Sequence, residues 1–262
     1  MIINKDIDNG KGFDWGKTSE DYAKFRDIYP PAFYQKLFDL GLCTSGQTVL
    51  DLGTGTGVLP RNMYKYGAKF IGADISENQL AQALKLSEQA GMNIEYILSS
   101  AEDIGYPDST FDTVTACQCF MYFDKSVVLP KIHSLLKDGG HFCITFMAWL
   151  PEESEIAKFS EELVLKYNPD WTGGGIKRYT LGTPEWSKEL FEVEDAITYD
   201  LNLTFTRESW SGRMKACRGI GASELSENEI AAFEKEHMEY LSTKPETFDV
   251  LHYFTVLNLR KR

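Results

Sequence analysis

The segment Val49–Gly57 places the strongest limit on what this chain can fold into. It begins as an apolar run interrupted by one acid, Asp51, and then carries glycine at alternate positions, Gly53, Gly55 and Gly57. The apolar run predicts a buried strand, and glycine allows the following turn to adopt unusual φ/ψ values and to approach a ligand closely. Such a loop at the carboxyl end of a strand is typical of ligand sites in open α/β sheets. We therefore expect a nucleotide-type cofactor loop.

A second acid follows at the distance expected for the same site. Phe70–Ala73 is another apolar run, and it leads into Asp74 about twenty residues after the loop. The Asp74 carboxylate can accept hydrogen bonds from ribose hydroxyls. The two strand-end acids and the glycine loop therefore predict one cofactor site.

The glycine spacing disfavours a dinucleotide. The dinucleotide fingerprint is G-x-G-x-x-G, whereas here Val58 stands where the third glycine belongs and Gly57 comes one position early. Asp51 would also place a negative charge beside a pyrophosphate, which costs Coulomb energy in a partly desolvated cleft. A cationic ligand without phosphate suits the site better, and S-adenosylmethionine carries an ammonium and a sulfonium group.

With these motifs the chain resembles the Rossmann-like class I methyltransferases that use S-adenosylmethionine, the small-molecule type in particular. Ser100–Asp112 is similar to the adenine-side segment of that family, and Leu135–Phe142 to the turn before its fifth strand. Tyr22–Pro30 resembles the helix that closes over the cofactor in small-molecule members. The resemblance covers residues 20–149 and the C-terminal strand. One departure is Ser100, where family members usually have aspartate.

This resemblance implies an α/β fold with a doubly wound, seven-stranded, mostly parallel sheet whose last strand is antiparallel. We expect a cofactor-binding core with an N-terminal lid helix over residues 1–149 and a cap inserted after the fifth strand over 150–182. The end of the sheet, with substrate-side helices, is expected over 183–262, all in one globular unit. Irregular patterning and a flexible Gly173–Gly175 run support the cap.

Local signals predict where two helices begin and end. Ser76 followed by Gln79 predicts a capped helix start, and Gly91 predicts its end. Pro130 is expected to kink or delay the helix that precedes the Gly139–Gly140 turn.

The resemblance also implies which residues bind the cofactor. Asp51 and the loop Gly53–Gly57 would hold its amino-acid end and Asp74 its ribose, while Tyr22 and Arg26 close over the methionine part. The full expected set is Tyr22, Arg26, Asp51, Gly53, Thr54, Gly55, Gly57, Asp74, Ile75, Gln79, Ser100, Ala101, Glu102 and Gln118.

A helix near the C-terminus gives the substrate hypothesis. On a period of about 3.6 residues, one face carries Trp210, Arg213, Met214, Cys217 and Arg218. Its two guanidinium groups can bind a carboxylate or phosphate of an anionic small molecule. An internal salt bridge, or arginine heads that reach solvent, is the alternative. The expected substrate-contacting residues are Tyr122, Trp149, Trp210, Arg213 and Arg218.

No pattern identifies a catalytic residue. The four histidines, His133, His141, His237 and His252, form no motif with one another or with a carboxylate. We retain His252 and Tyr22 as candidates. Methyl transfer from a sulfonium neutralises a cation and can depend mainly on alignment in a dry site, so only some acceptors need a general base.

Composition excludes several classes of function. A net charge of −12 and a pI near 4.9 argue against nucleic acid, because phosphate contacts require a basic face. No apolar run is long enough for a bilayer, and the N-terminus lacks a secretory pattern. Five cysteines without a C-x-x-C pair favour free thiols in a reducing cytoplasm and no metal site.

We therefore expect a cytoplasmic S-adenosylmethionine-dependent methyltransferase, with S-adenosylhomocysteine as product and a small, anionic molecule as acceptor. Neither nucleic acid nor a membrane is expected as a partner, and the sequence determines neither the acceptor atom nor the oligomeric state. The alternatives are a non-catalytic protein that binds S-adenosylmethionine or S-adenosylhomocysteine, and a nicotinamide-dependent oxidoreductase.

Overall fold

The computed structural model describes residues 1–262. It contains one sheet of seven strands. The strands are β1 (Thr48–Leu52), β2 (Lys69–Asp74), β3 (Glu95–Leu98), β4 (Phe111–Cys117), β5 (Leu136–Trp149), β6 (Phe191–Thr206) and β7 (Thr247–Lys261). Their order is β3-β2-β1-β4-β5-β7-β6, with parallel pairing from β3 to β5 and an antiparallel last strand. The predicted fold class is confirmed.

Eight α-helices accompany the strands. They are α1 (Ser19–Phe25), α2 (Pro31–Asp39), α3 (Val58–Met63), α4 (Glu77–Gln89), α5 (Lys125–Leu135), α6 (Glu155–Tyr167), α7 (Arg207–Lys215) and α8 (Glu227–Ser242). The predicted start of α4 is confirmed, because the Ser76 hydroxyl accepts a hydrogen bond from Gln79 N at 3.4 Å. No helix has both the length and the apolar character needed to cross a bilayer.

Three predicted boundaries are wrong for local reasons. The helix expected within Tyr22–Pro30 is α1, which begins at Ser19 and ends at Phe25, where Arg26 N donates to the Tyr22 carbonyl. Helix α5 already begins at Lys125, where the Asp124 side chain accepts from Ser126 N, so Pro130 lies inside the helix and does not delay its start; the expected kink stays a prediction. The turn at Gly139–Gly140 is an irregularity within β5, where the register with β4 shifts.

The chain forms two units. Unit 1 comprises Met1–Ile28, Ala148–Tyr179 and Asp200–Tyr253, and unit 2 comprises Tyr29–Met147, Thr180–Tyr199 and Phe254–Arg262. Their limits differ from the ranges 1–149, 150–182 and 183–262 that the sequence suggests. The core of unit 2 lies on the sheet and includes Leu50, Phe111, Ile132, Phe142 and Leu257.

Gly173 and Gly174 in unit 1 are closely packed, whereas Gly175 is exposed with open space around its Cβ position. A Cβ atom on Gly174 would lie 2.9 Å from Oε2 of Glu161, and one on Gly173 would overlap the Trp171 ring. Gly175 N also donates to Glu161 Oε2 at 2.8 Å. The glycines therefore let this loop wrap around a buried tryptophan.

All five cysteines are free thiols. Cys43, Cys119 and Cys143 in unit 2 and Cys217 in unit 1 are buried, and burial raises the pKa of each. Cys117 is half-buried, and its pKa is raised to about 11.

Candidate functional site

Asp51 is the buried acid at the carboxyl end of β1. Its side chain is 2% exposed, and its two oxygens accept hydrogen bonds from the hydroxyls of Thr54 and Thr115, each at 2.6 Å. Burial raises the pKa of Asp51 to about 6, the two threonine bonds oppose this shift, and Asp74 adds to it. No basic side chain is among these interactions, so the negative charge favours a cationic ligand.

Asp74 connects the glycine loop to the start of α4. Its Oδ2 accepts from Gly55 N at 2.8 Å and its Oδ1 accepts from Ser76 N at 2.9 Å. Burial raises the pKa of Asp74, although the backbone donors oppose the shift. The structure therefore brings both strand-end acids and the loop together within unit 2.

The loop needs glycine for its own packing, a reason that the sequence did not show. Gly53 has a φ of +61°, and a Cβ atom there would lie 2.7 Å from Cβ of Cys119. Gly57 has a φ of +72°, and a Cβ atom there would overlap the hydroxyl of Tyr96. Side chains at these positions would clash with unit 2 itself before reaching any ligand.

Replacing Gly57 with alanine should lower the free energy of unfolding by about 2–3 kcal/mol, because left-handed strain adds to the overlap with Tyr96. Chemical denaturation measures the loss. Gly91→Ala is the matched control, since Gly91 has a φ of +66° but open space around its Cβ position. Equal losses in the two variants would contradict a role for Tyr96.

On the expected adenine side, two polar side chains bind other parts of unit 2. The Ser100 hydroxyl donates to Asp103 Oδ2 at 2.8 Å, and Glu102 Oε1 accepts from Asp124 N at 2.8 Å. Ala101 between them is buried. Glu102 therefore helps to position the start of α5.

The other expected cofactor residues on this side differ in exposure. Ile75 is 51% exposed at the end of β2, whereas Gln79 on α4 is buried. Gln118 follows β4 with a φ of +64°, and its Nε2 donates to the carbonyl of Met147. Ile75 thus presents an apolar surface near Asp74, and Gln118 joins the ends of β4 and β5.

Tyr22 and Arg26 belong to unit 1. The Arg26 guanidinium lies over the Tyr22 ring, 4.7 Å from its centroid, and 5.7 Å from that of Trp15. Trp15, which precedes α1, meets the Tyr22 ring edge to face, so the guanidinium contacts two aromatic rings.

The face predicted for the substrate-side helix extends further than the helix itself. Helix α7 ends at Lys215, because Gly221 N turns back to donate to the Lys215 carbonyl, so Cys217 and Arg218 lie beyond the helix. Arg218 forms a salt bridge with buried Asp8 at 2.6 Å. For Arg218 the alternative interpretation, an internal salt bridge, is therefore the correct one.

Arg213 lies in a different environment. It is 2% exposed, and its guanidinium carbon is 5.1 Å from the centroid of the Trp149 ring. Trp149 in turn donates from Nε1 to Glu161 Oε1 at 2.6 Å, and its ring meets Trp210 edge to face. Tyr122, the remaining expected substrate residue, lies in a short turn after β4 in unit 2.

One histidine contacts a carboxylate that no sequence pattern indicated. His141 lies 3.3 Å from the Glu194 carboxylate and 3.1 Å from the Asn258 side chain, because β5, β7 and β6 are adjacent. His252 is fully buried, and burial together with the charge of Arg213 lowers its pKa to about 3. His252 is therefore neutral at physiological pH and a poor general base.

Comparison with known proteins identifies the fold. Residues 50–144, which include β1, the glycine loop and both acids, match the family model described as a methyltransferase domain. The structure is similar to that of a candidate methyltransferase from Bacillus halodurans C-125, with a TM-score of 0.56 at 18% identity, covering 87% of this chain and 98% of that one. The chain has the class I methyltransferase fold. The expected resemblance is confirmed.

Two further methyltransferases are similar to this chain. The ubiquinone biosynthesis O-methyltransferase of Ruegeria sp. (strain TM1040) is 31% identical over 155 residues, which span 57% of this chain and 58% of that relative. The phosphoethanolamine N-methyltransferase 2 of Haemonchus contortus has a TM-score of 0.50 at 19% identity, covering 86% of this chain and 52% of that one. Its structure holds phosphomonomethylethanolamine and S-adenosylhomocysteine.

Proposed function

We propose that this chain is a cytoplasmic S-adenosylmethionine-dependent methyltransferase that acts on a small anionic molecule rather than on nucleic acid. The observation that carries the proposal is the pair Asp51 and Asp74 beside the glycine loop. Both carboxyls have raised pKa values, and no basic side chain is among the interactions that shift them. Such a site attracts an ammonium and a sulfonium and repels a pyrophosphate.

The residues fit this cofactor. The Asp74 oxygens accept hydrogen bonds from the backbone of Gly55, Ser76 and Ile75 and keep a lone pair for a ribose hydroxyl, while Asp51 supplies the charge for the amino-acid end. When bound, S-adenosylmethionine supplies a methyl group activated by its sulfonium. The chain binds and orients the reactants and keeps water away. The Ruegeria relative is named an O-methyltransferase, which supports an acceptor hydroxyl here.

Calorimetric titration tests the cofactor. We expect saturable binding of S-adenosylhomocysteine and none of NAD. Binding of NAD alone would favour the oxidoreductase, and binding of neither would refute the site assignment. Turnover with S-adenosylmethionine then separates an enzyme from a non-catalytic binding protein.

The pKa of Asp51 predicts that cofactor affinity depends on pH. The ammonium group of the ligand requires the ionised carboxyl, so S-adenosylhomocysteine should bind about tenfold more weakly at about pH 5 than at about pH 8. Calorimetry at the two pH values measures this ratio. Asp51→Asn should bind weakly at both, and a wild-type affinity that does not change with pH would contradict the assigned charge.

The ionised Asp51 carboxyl should lower the stability of the fold at neutral pH. Because its folded pKa of about 6 lies above the ordinary value of 3.8, protonation stabilises the fold below about pH 4, and this stabilisation is lost as the pH rises through 6. Asp51→Asn should therefore unfold at a higher temperature than wild type at neutral pH. A lower melting temperature would show that the two threonine bonds outweigh desolvation.

A further inference from the structure

Thr115 on β4 lies beside Asp51, although it is not part of the predicted cofactor set. The two residues are partners in the register of the parallel strands β1 and β4, so their side chains lie on the same face of the sheet. Both are 2% exposed. Thr115 Oγ1 is 2.6 Å from Oδ1 of Asp51 and 3.5 Å from the carbonyl oxygen of Leu50. The shorter distance assigns the hydroxyl proton to the Asp51 carboxylate.

A second threonine binds the other oxygen of Asp51. Thr54 Oγ1 donates to Asp51 Oδ2 at 2.6 Å, and Thr54 is buried. A hydroxyl has one proton, so this bond uses the proton of Thr54 on Asp51. Distances of about 2.5–2.7 Å are typical of a hydroxyl that donates to an ionised carboxylate. The two threonines therefore favour the charged form of Asp51, and each of its oxygens keeps a lone pair for a cation.

The threonine bonds oppose the effect of burial on Asp51. Burial raises the pKa of Asp51, the two hydroxyl bonds lower it, and the charge of Asp74 raises it. The ionisable groups that interact with Asp51 are Asp74, Tyr96, Cys43, Cys117 and Cys119. The pKa values of the tyrosine and the three thiols are raised, so these four groups are neutral at physiological pH. Thr115 is not among the groups that shift the pKa of Asp74, so a change at Thr115 reports on Asp51.

We propose that Thr115 is a positioning residue of the cofactor site, which together with Thr54 fixes the charged Asp51 carboxylate for the ammonium group of S-adenosylmethionine. The inference rests on the proposed function, because it takes S-adenosylmethionine as the ligand. Thr54 then acts through Asp51, whereas the sequence predicts a direct cofactor contact for it. The pH range in which the chain binds its cofactor is thus set partly by a residue of β4 that contacts only the acid.

Thr115→Val tests this role, because it replaces the hydroxyl with a methyl group and removes one hydrogen bond to the charged acid. The pKa of Asp51 should rise by about one pH unit. S-adenosylhomocysteine should then bind about threefold more weakly than in wild type at about pH 6.5, and with nearly wild-type affinity at about pH 8. Calorimetric titration of the full chain at the two pH values measures both ratios. Equal weakening at both, or none at either, overturns the proposal.

Three control variants separate the hydrogen bond from packing. Thr115→Ser keeps the hydroxyl and should bind with the pH dependence of wild type. Thr113→Val changes a buried threonine of the same strand and face, whose hydroxyl is 3.5 Å from Gln47 Oε1, and should also leave the pH dependence unchanged. In an Asp51→Asn background, Thr115→Val should have no further pH-dependent effect. A pH-dependent loss that persists in that background would assign the effect to another acid, such as Asp74, and overturn the proposal.

A measurement without ligand separates this inference from the proposed function. Carbon-13 NMR follows the titration of the Asp51 carboxyl in the free protein, and the Asp51→Asn variant identifies its signal. The midpoint should be higher in Thr115→Val than in wild type, and the Thr115→Ser midpoint should equal that of wild type. An unchanged midpoint in Thr115→Val overturns the proposal. Absence of S-adenosylhomocysteine binding in wild type, with the midpoint shift intact, would refute the proposed function and support the action of Thr115 on Asp51.

Discussion

Asp74→Ala should weaken S-adenosylhomocysteine binding about thousandfold, because hydrogen bonds to a charged group contribute about 1.5–3 kcal/mol each and several depend on this carboxylate. The variant loses the acceptors for the ribose hydroxyls. It also leaves the amides of Gly55 and Ser76 without the oxygens that hold them, so the loop is no longer fixed for binding. Calorimetric titration at neutral pH measures the change.

Two control variants test whether the loss of affinity is specific to the Asp74 carboxylate. Asp74→Asn keeps one acceptor oxygen and should give an intermediate affinity. Glu77→Ala removes an exposed acid from the first turn of α4, three residues further on, and should bind as wild type does. An affinity of Asp74→Ala within about threefold of wild type, less than 1 kcal/mol, would refute the site assignment.

Arg218→Met should lower the free energy of unfolding by about 3–5 kcal/mol, since it leaves a buried carboxylate without its charged partner. Asp8 is 4% exposed, and Arg218 binds it through two nitrogens, Nε at 2.6 Å and Nη2 at 3.0 Å. Urea denaturation measures the loss. If Arg218 instead bound substrate, the variant would keep its stability and show a raised KM.

A double-mutant cycle provides the control for this salt bridge. Asp8 has a φ of +49°, which asparagine tolerates, and an asparagine oxygen can still accept from Thr172 N, which now donates to Asp8 at 2.8 Å. The double variant Asp8→Asn with Arg218→Met should therefore be more stable than the sum of the single losses predicts. Additive losses would show that the two side chains act independently.

The parts of the site that could be predicted depend on short stretches of sequence. The loop after β1, the acid at the end of β2 and the Ser76 cap follow from patterns in which every partner lies within about twenty residues. Residues this close have few alternative arrangements, so the bond from Gly55 N to Asp74 follows once both strands are placed.

The parts that could not be predicted depend on pairs far apart in the chain. Asp8 and Arg218 are 210 positions apart, and no local pattern distinguishes Arg218 from a substrate-binding arginine. The contact of His141 with Glu194 requires the order of β5, β7 and β6. Both interactions join segments that no local pattern of residues connects.

Both units contain a buried native cysteine, so cysteine alkylation can measure local opening in each unit without added labels. A protonated, shielded thiol reacts with an alkylating reagent only when the surrounding structure opens, so its labelling rate measures the free energy of that opening. Cys217 is the one cysteine in unit 1, whereas Cys43, Cys119 and Cys143 are buried in unit 2. Mass-resolved labelling of the unmodified protein can therefore determine which unit a ligand stabilises.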